Sequence, residues 1–193
     1  MKDYTFKQEM LIIFMDIISH ALWSGALFKS VNIKLKKRKF NFWLAAFWGI
    51  FPDMFAFVIP YLILSVIVLS KNGLDFFTSG LFNQTIESYS FISTLYNISH
   101  SIIIFAIIFL LIWLIFRKPM WVLFGWLLHI LIDIPTHLIG HFATPMFWPI
   151  SNFKINGIIY WREPLFMIID ILALVIVYWI ILRKEKKLKN KRR

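Results

Sequence analysis

The sequence predicts an all-α, polytopic integral membrane protein with about five transmembrane helices. Of its 193 residues, 60% are hydrophobic and 19% aromatic, and the mean hydropathy is +0.73. An ordinary soluble domain is only about 45–50% apolar, so a water-soluble fold would have too little interior to hide this surface. The apolar residues also form stretches of roughly 20, the length that a helix needs to cross the hydrocarbon core of a bilayer.

Five stretches approach this length, at residues 10–28, 42–69, 98–116, 121–139 and 164–182, and none contains lysine or arginine. The second is longer than one crossing requires and contains Pro52 and Pro60, so we expect a kink or two helical pieces around Phe51–Asp53. The first includes Asp16 and lacks a small-residue cleavage site, which predicts a retained helix. Together the stretches predict one transmembrane domain over residues 1–182, followed by a basic tail at 183–193.

The basic residues predict the orientation in the membrane. Of 21 Lys and Arg, six lie in 29–41, two at Arg117 and Lys118, and eight in 183–193, so sixteen fall in alternate connections. The positive-inside rule then places these segments in the cytoplasm, and the N-terminus and loops 70–97 and 140–163 outside. The net charge of +11 therefore predicts contact with anionic lipids of the inner membrane. No nucleic-acid partner is expected, although binding of the tail to nucleic acid or an acidic partner is the alternative.

Eight ionisable residues lie within the apolar stretches: Asp16, His20, Asp53, His100, His129, Asp133, His137 and Asp170. A charged side chain at the centre of a membrane helix costs roughly 2.5–3.5 kcal/mol, so the aspartates need compensation. The stretches supply no lysine or arginine as counter-ion. The remaining ways to compensate the aspartates are protonation of the carboxylates, imidazolium partners or a bound cation.

Spacing favours convergence of these side chains. His129 and Asp133 are four residues apart and share a helix face, and His137 continues that face if Pro135 does not break the turn. Asp16 and His20 repeat the same spacing. Such a pair offers one nitrogen and one oxygen ligand to the same point, which suits zinc or manganese. Simple hydrogen-bonded packing is the alternative. The chain has no cysteine, so thiolate ligands are excluded.

Five motifs occur in the order found in the YdjM-like family: His20, GIFPDM at 49–54, NISHS at 97–101, HILIDIPTH at 129–137 and TPMFWP at 144–149. The chain resembles this family, whose members are described as membrane-bound metal-dependent hydrolases. The resemblance implies metal-site roles for His20, Asp53, His100, His129 and Asp133. The sequence departs from the family at Phe55, where members often have an acid, and at Tyr96–Ser101, where they often have an arginine. An insertion at His137–Ala143 makes His141 a poor candidate.

The ligand order also resembles, more loosely, that of zinc-dependent phospholipase C and P1-type nucleases. Those enzymes use an amino-terminal ligand and a second His-x-x-x-acid pair, which this chain lacks, so one or two metal ions are expected rather than three.

The prediction is therefore a membrane-embedded, metal-dependent hydrolase that acts on a phosphoester or lipid-like substrate. The predicted ligands are His20, Asp53, His100, His129, Asp133 and His137, with Asp53 and Asp133 also catalytic and zinc the favoured ion. Asp16 and Asp170 could orient ligands, act as bases, or only join helices by hydrogen bonds. The alternatives are an ion or proton translocator and a non-catalytic scaffold that keeps metal for folding.

Overall fold

The computed structural model describes residues 6–36, 39–72, 90–139 and 142–190, and every regular element in these ranges is helical. This confirms the predicted all-α class. The elements in chain order are α1 (Phe6–Lys34), α2 (Phe42–Asp53), a π-helical turn (Met54–Val58), α3 (Ile59–Asn72), α4 (Ser90–Ser99), α5 (Ile102–Phe116), a 3₁₀ turn (Trp121–Leu123), α6 (Phe124–Thr136) and α7 (Pro164–Asn190).

Two helices in the described ranges, Phe42–Ile63 and Pro164–Asn190, are long and apolar enough to cross a membrane. A third crossing results if Phe91–Ser99 and Ile102–Phe116, bent by 64° at their junction, form one span, and Trp121–Thr136 is a shorter apolar helix. Many large apolar side chains of α5 and α7 are exposed, as expected for helices that contact lipid. The membrane bundle is thus confirmed, whereas the predicted number of about five spans is not.

The second predicted span contains a discontinuity next to its aspartate. Asn41 caps α2 by accepting hydrogen bonds from the backbone N–H groups of Trp43 and Leu44. Pro52 lies in the last turn of α2, where proline removes a backbone donor. The chain then makes a π-helical turn directly after Asp53. Turns of this kind often occur at functional sites, and this one marks the place where α2 presents its carboxylate.

The structure differs from the third predicted span, which was expected to run unbroken over residues 98–116. Helix α4 ends at Ser99, and α5 begins only at Ile102. Ser101 starts the new helix because its hydroxyl accepts hydrogen bonds from the N–H groups of Ile103 and Ile104. His100 therefore lies at a bend between two helices.

The fourth predicted span also ends early, at Thr136, because the chain becomes extended at His137, just after Pro135. The carbonyls left at this helix end accept hydrogen bonds from the backbone N–H groups of residues 157, 158, 159 and 161. Gly157 allows this close approach, since a Cβ there would lie 2.7–2.9 Å from backbone atoms of Pro135 and His137. The fifth predicted span continues without a break as α7, which reaches Asn190 within the predicted basic tail.

The three basic segments meet at one end of the bundle. Phe28, Ala45 and Val122, which flank the connections 29–41 and 117–120, form one buried cluster. Lys29 Nζ lies 3.5 Å from Glu185 Oε2, which brings the start of the C-terminal segment to the same end. This convergence agrees with the alternation of charge in the sequence.

Helices α1, α2 and α6 pack closely around Ser24, where two glycines remove side-chain bulk. A Cβ at Gly49 would lie 2.6 Å from the backbone oxygen of His20, and one at Gly125 would lie 2.7 Å from that of Ala45. Ser24 Oγ donates a 2.6 Å hydrogen bond to the Ala45 carbonyl. This packing brings the polar residues of the three helices into one buried group.

Candidate metal centre

His129 and Asp133 lie on one face of α6, as their spacing predicts, and both are at most 1% exposed. His129 Nδ1 lies 2.7 Å from the carbonyl oxygen of Gly49. Because a carbonyl only accepts hydrogen bonds, this contact assigns the proton of the neutral imidazole to Nδ1 and leaves a lone pair on Nε2. That Nε2 lies 3.2 Å from Asp133 Oδ2.

His100 is oriented in the same way at the bend between α4 and α5. Its Nδ1 lies 2.9 Å from Ser99 Oγ, which donates to the Tyr96 carbonyl, and 3.1 Å from that carbonyl itself. Its ring stacks on the Tyr96 ring at a centroid distance of 3.9 Å. Because the Ser99 hydroxyl gives its proton to the Tyr96 carbonyl, Nδ1 is the donor to both oxygens, and the Nε2 atom is again left with a lone pair. It lies 3.2 Å from His129 Nε2 and 3.3 Å from Asp133 Oδ2.

The spacing of these donor atoms fits a divalent ion. Two neutral imidazoles that point their lone pairs at each other repel, unless a proton or a cation lies between them. Two ligands about 2.05 Å from a tetrahedral ion are roughly 3.3 Å apart. The three distances among His100 Nε2, His129 Nε2 and Asp133 Oδ2 are 3.2, 3.2 and 3.3 Å. Asp53 Oδ1, at 3.5 Å from His100 Nε2 and 3.7 Å from His129 Nε2, offers a fourth ligand.

A second group of donors adjoins the first through Asp133. His20 Nε2 lies 3.1 Å from Asp133 Oδ1 and 3.7 Å from Asp16 Oδ1. His20 Nδ1 is buried and has no hydrogen-bond partner among the described residues. Orphaned polar atoms of this kind are rare in a folded protein and indicate a missing ligand or ion. Three overlapping triads have ligand atoms within 4.8 Å of one another: His20–His129–Asp133, Asp53–His100–His129 and Asp16–His20–Asp53.

The remaining predicted residues lie at different distances from this cluster. His137 belongs to none of these triads, although its Nδ1 is 3.8 Å from Asp133 Oδ1 and its ring stacks on Trp161. Asp170 lies apart and accepts hydrogen bonds from Ser19 Oγ at 2.5 Å and Trp23 Nε1 at 2.8 Å. Its carboxylate therefore joins α7 to α1. His141 lies outside the described residues.

The sequence interpretation missed the groups that hold the imidazoles in place. Backbone carbonyls of Gly49 and Tyr96 orient His129 and His100, and periodicity carries no information about such contacts. The TPMFWP motif supports the bend at His100: Met146 O accepts a hydrogen bond from Ile102 N, and Trp148 O accepts one from Ser101 Oγ. The glycine of the apolar GIFPDM motif was the sequence feature from which close helix packing could have been predicted.

A family model described as YdjM inner membrane protein matches residues 15–190 of the chain. This range contains every residue of the cluster. No curated protein and no solved structure gives a significant match. The motif order had predicted the same relationship, and because the match covers most of the chain, the protein belongs to the YdjM family of inner membrane proteins.

Proposed function

We propose that the protein is a membrane-embedded, metal-dependent hydrolase that acts on a phosphoester or lipid-like substrate. The observation that carries the proposal is the pair of Nε2 atoms of His100 and His129, which are 3.2 Å apart. His129 Nδ1 contacts the Gly49 carbonyl, and His100 Nδ1 contacts Ser99 Oγ and the Tyr96 carbonyl. Two hydrogen-bond acceptors that face each other at this distance repel, and a cation bound between them would remove that repulsion. Zinc is favoured by the nitrogen and oxygen donor set, with manganese as the second candidate.

The residues divide into ligands and orienting groups. His100, His129 and Asp133 would hold one ion with Asp53, while His20 and Asp16 extend the donor set towards a second. A divalent ion in this position supplies Lewis acidity, by which it activates a water molecule and polarises a phosphoryl or acyl oxygen. The carbonyls of Gly49 and Tyr96 keep the imidazoles in the tautomer and orientation that ligation requires.

Asp53 and Asp133 are the carboxylates proposed to act in catalysis as well as in binding. Each lies against two imidazole nitrogens of the same donor set, so an ion held by that set would balance its charge. Asp16 is the most exposed carboxylate of the cluster, with 22% of its side chain accessible. It is therefore the group best placed to exchange a proton with a substrate that enters from outside.

The proposed orientation places the basic end of the bundle in the cytoplasm and the N-terminus outside, following the positive-inside rule. Helix α5 separates His100 from Arg117 by seventeen residues, or about 25 Å at 1.5 Å per residue. His129 is eight residues, or about 12 Å, from Trp121 at the same end, so the cluster would lie between the middle and the outer face of a hydrocarbon core about 30 Å thick. The proposed substrate is therefore one that is reached from the outer leaflet.

The test is the metal content of the detergent-solubilised protein before and after chelation. We expect one or two zinc or manganese ions per chain, removable by chelator and restored by titration. Asp133→Asn should abolish this binding, whereas Asp170→Asn, a matched change of another aspartate in an apolar helix, should leave it intact. A wild-type protein that neither carries nor regains metal would refute the proposal.

Metal binding alone does not distinguish an enzyme from a scaffold that keeps metal for folding. A screen of the metal-loaded protein against phosphomonoesters, phosphodiesters and phospholipids makes that distinction, with Asp133→Asn as the inactive control. Turnover that is lost in this variant supports a hydrolase. A proton or ion flux in liposomes that depends on the same residue, without turnover, would instead support the translocator.

A further inference from the structure

A cavity of about 270 Å³ lies between α1, α6 and α7. We call it the α1/α6/α7 cleft. Its walls are largely apolar and include Ile18, Ile132, Met167, Ile171, Leu174 and Val175. Among its polar residues, Asp170 is hydrogen-bonded to Ser19, and Thr136 donates to the Ile132 carbonyl. His20 and Asp16 are the polar residues that connect the cleft to the metal-ligand cluster.

The metal-ligand cluster borders the cleft, which is a space large enough for a ligand. His100, His129 and Asp133 are almost fully buried and do not line it. His20 and Asp16 do line it, and His20 Nε2 is 3.1 Å from Asp133 Oδ1. A substrate group in the cleft can therefore reach the cluster at His20 without passing through packed helices.

The mouth of the cleft is flanked by side chains suited to lipid. Ile18, Ile171 and Val175 line the cleft and are also among the exposed apolar residues. On α7, Asp170 is thirteen residues from Arg183 at the basic end, or about 20 Å along the helix axis. This distance lies within a hydrocarbon core of about 30 Å, so the opening faces acyl chains rather than water.

We propose that the α1/α6/α7 cleft receives one acyl chain of a membrane phospholipid, whose phosphate then lies beside His20 and Asp16. The volume falls just below the range of roughly 300–1,000 Å³ for whole small-molecule sites, which suits a single chain better than an entire phospholipid. The apolar walls stabilise a chain by the burial of its methylene groups. The proposal rests on the proposed function, because a cation at the cluster is what makes the acidic neighbourhood of Asp16 acceptable to a phosphate.

The test uses phosphatidic acid with a diazirine in one chain, diluted into nanodiscs that contain the zinc-loaded protein. After irradiation, cross-links are mapped by mass spectrometry. Leu174 lines the cleft and is only 6% exposed, whereas Leu172 on the same helix is 55% exposed and reports ordinary lipid contact. We expect Leu174 to be labelled at least as strongly as Leu172. Labelling confined to Leu172 would overturn the proposal.

Two tryptophan substitutions provide the matched pair. Met167→Trp adds bulk inside the cleft and should reduce labelling of Leu174 about tenfold, the effect expected when roughly two buried methylenes are lost. Leu172→Trp adds the same side chain outside the cleft and should leave labelling of Leu174 unchanged. Equal losses in both variants would contradict a specific site. Both should keep the wild-type zinc content, which shows that each variant is folded.

The headgroup is tested with a diazirine diacylglycerol, which has the same chains and no phosphate. Weaker labelling of Leu174 by this lipid supports a phosphate beside His20, and equal labelling overturns that part of the proposal. The zinc content is measured on the same samples. Zinc binding without labelling refutes the cleft and leaves the hydrolase proposal standing, whereas labelling without zinc binding refutes the proposed function.

Discussion

Gly49→Ala tests whether the close packing of α1 and α2 sets the geometry of the metal centre. A Cβ at this position would lie 2.6 Å from both the His20 backbone oxygen and Ser24 Cβ, while ordinary contact begins at 3.4 Å. The two helices must therefore separate by about 0.8 Å. Because the obstacles include backbone, a change of side-chain rotamer alone cannot relieve the contact.

The same movement weakens the hydrogen bond that orients His129. The Gly49 carbonyl accepts from His129 Nδ1 at 2.7 Å. A displacement of about 0.8 Å along this line would lengthen the bond to about 3.5 Å, beyond the range of roughly 2.7–3.2 Å for N–H···O bonds. Loss of a group that orients a metal ligand typically costs 10–100-fold in metal affinity. We expect zinc to bind about 10–100-fold more weakly, and the overpacked variant to lose about 1–3 kcal/mol of stability.

The assay is competition for zinc between the purified protein and a chromogenic chelator, with thermal unfolding measured on the same samples. Gly25→Ala is the matched control, since the three atoms nearest its Cβ would all belong to the Phe42 ring, a side chain that can move and lies outside the cluster. It should lower stability at most and leave zinc affinity unchanged. Wild-type affinity in Gly49→Ala, or an equal loss in Gly25→Ala, would refute the reasoning.

Three further predictions concern metal-linked stability, Asp170 and topology. Chelation should lower the thermal midpoint, since zinc at a hundred times its Kd stabilises by about 2.7 kcal/mol, and an unchanged midpoint in a zinc-binding protein would argue against a structural link. Asp170→Leu should destabilise the protein by about 3 kcal/mol in chemical unfolding, because it removes two charge-assisted hydrogen bonds, yet leave zinc content unchanged. With no native cysteine as background, an impermeant thiol reagent should label Lys154→Cys in intact cells and Lys118→Cys only after permeabilisation, since both positions are exposed. The reverse pattern would invert the topology; Ser101 is unsuitable for this test because it is fully buried.

The membership of the cluster was predictable in part from local spacing. His129 and Asp133 share a face because four residues make about one helical turn, and the structure indeed places His129 Nε2 3.2 Å from Asp133 Oδ2. The difference between Asp16 and Asp170 was not predictable. Both are acids in apolar helices, yet one lies beside His20 and the other is held by Ser19 and Trp23.

Sequence alone determined the all-α membrane class and the alternation of basic connections. Composition and the length of apolar stretches reflect the solvent around a helix, and they do not depend on which other helices it packs against. The three basic segments then lie at one end of the bundle, as that alternation requires.

Tertiary structure decided where the helices break and which groups orient the ligands. The bend at His100 depends on Met146 and the end of α6 on residues 157–161, partners distant in sequence. His129 is oriented by a carbonyl eighty residues away, at Gly49. Helical periodicity relates residues within one turn or two of each other, whereas hydrogen bonds between helices depend on packing in three dimensions, so only the folded bundle could assign these partners.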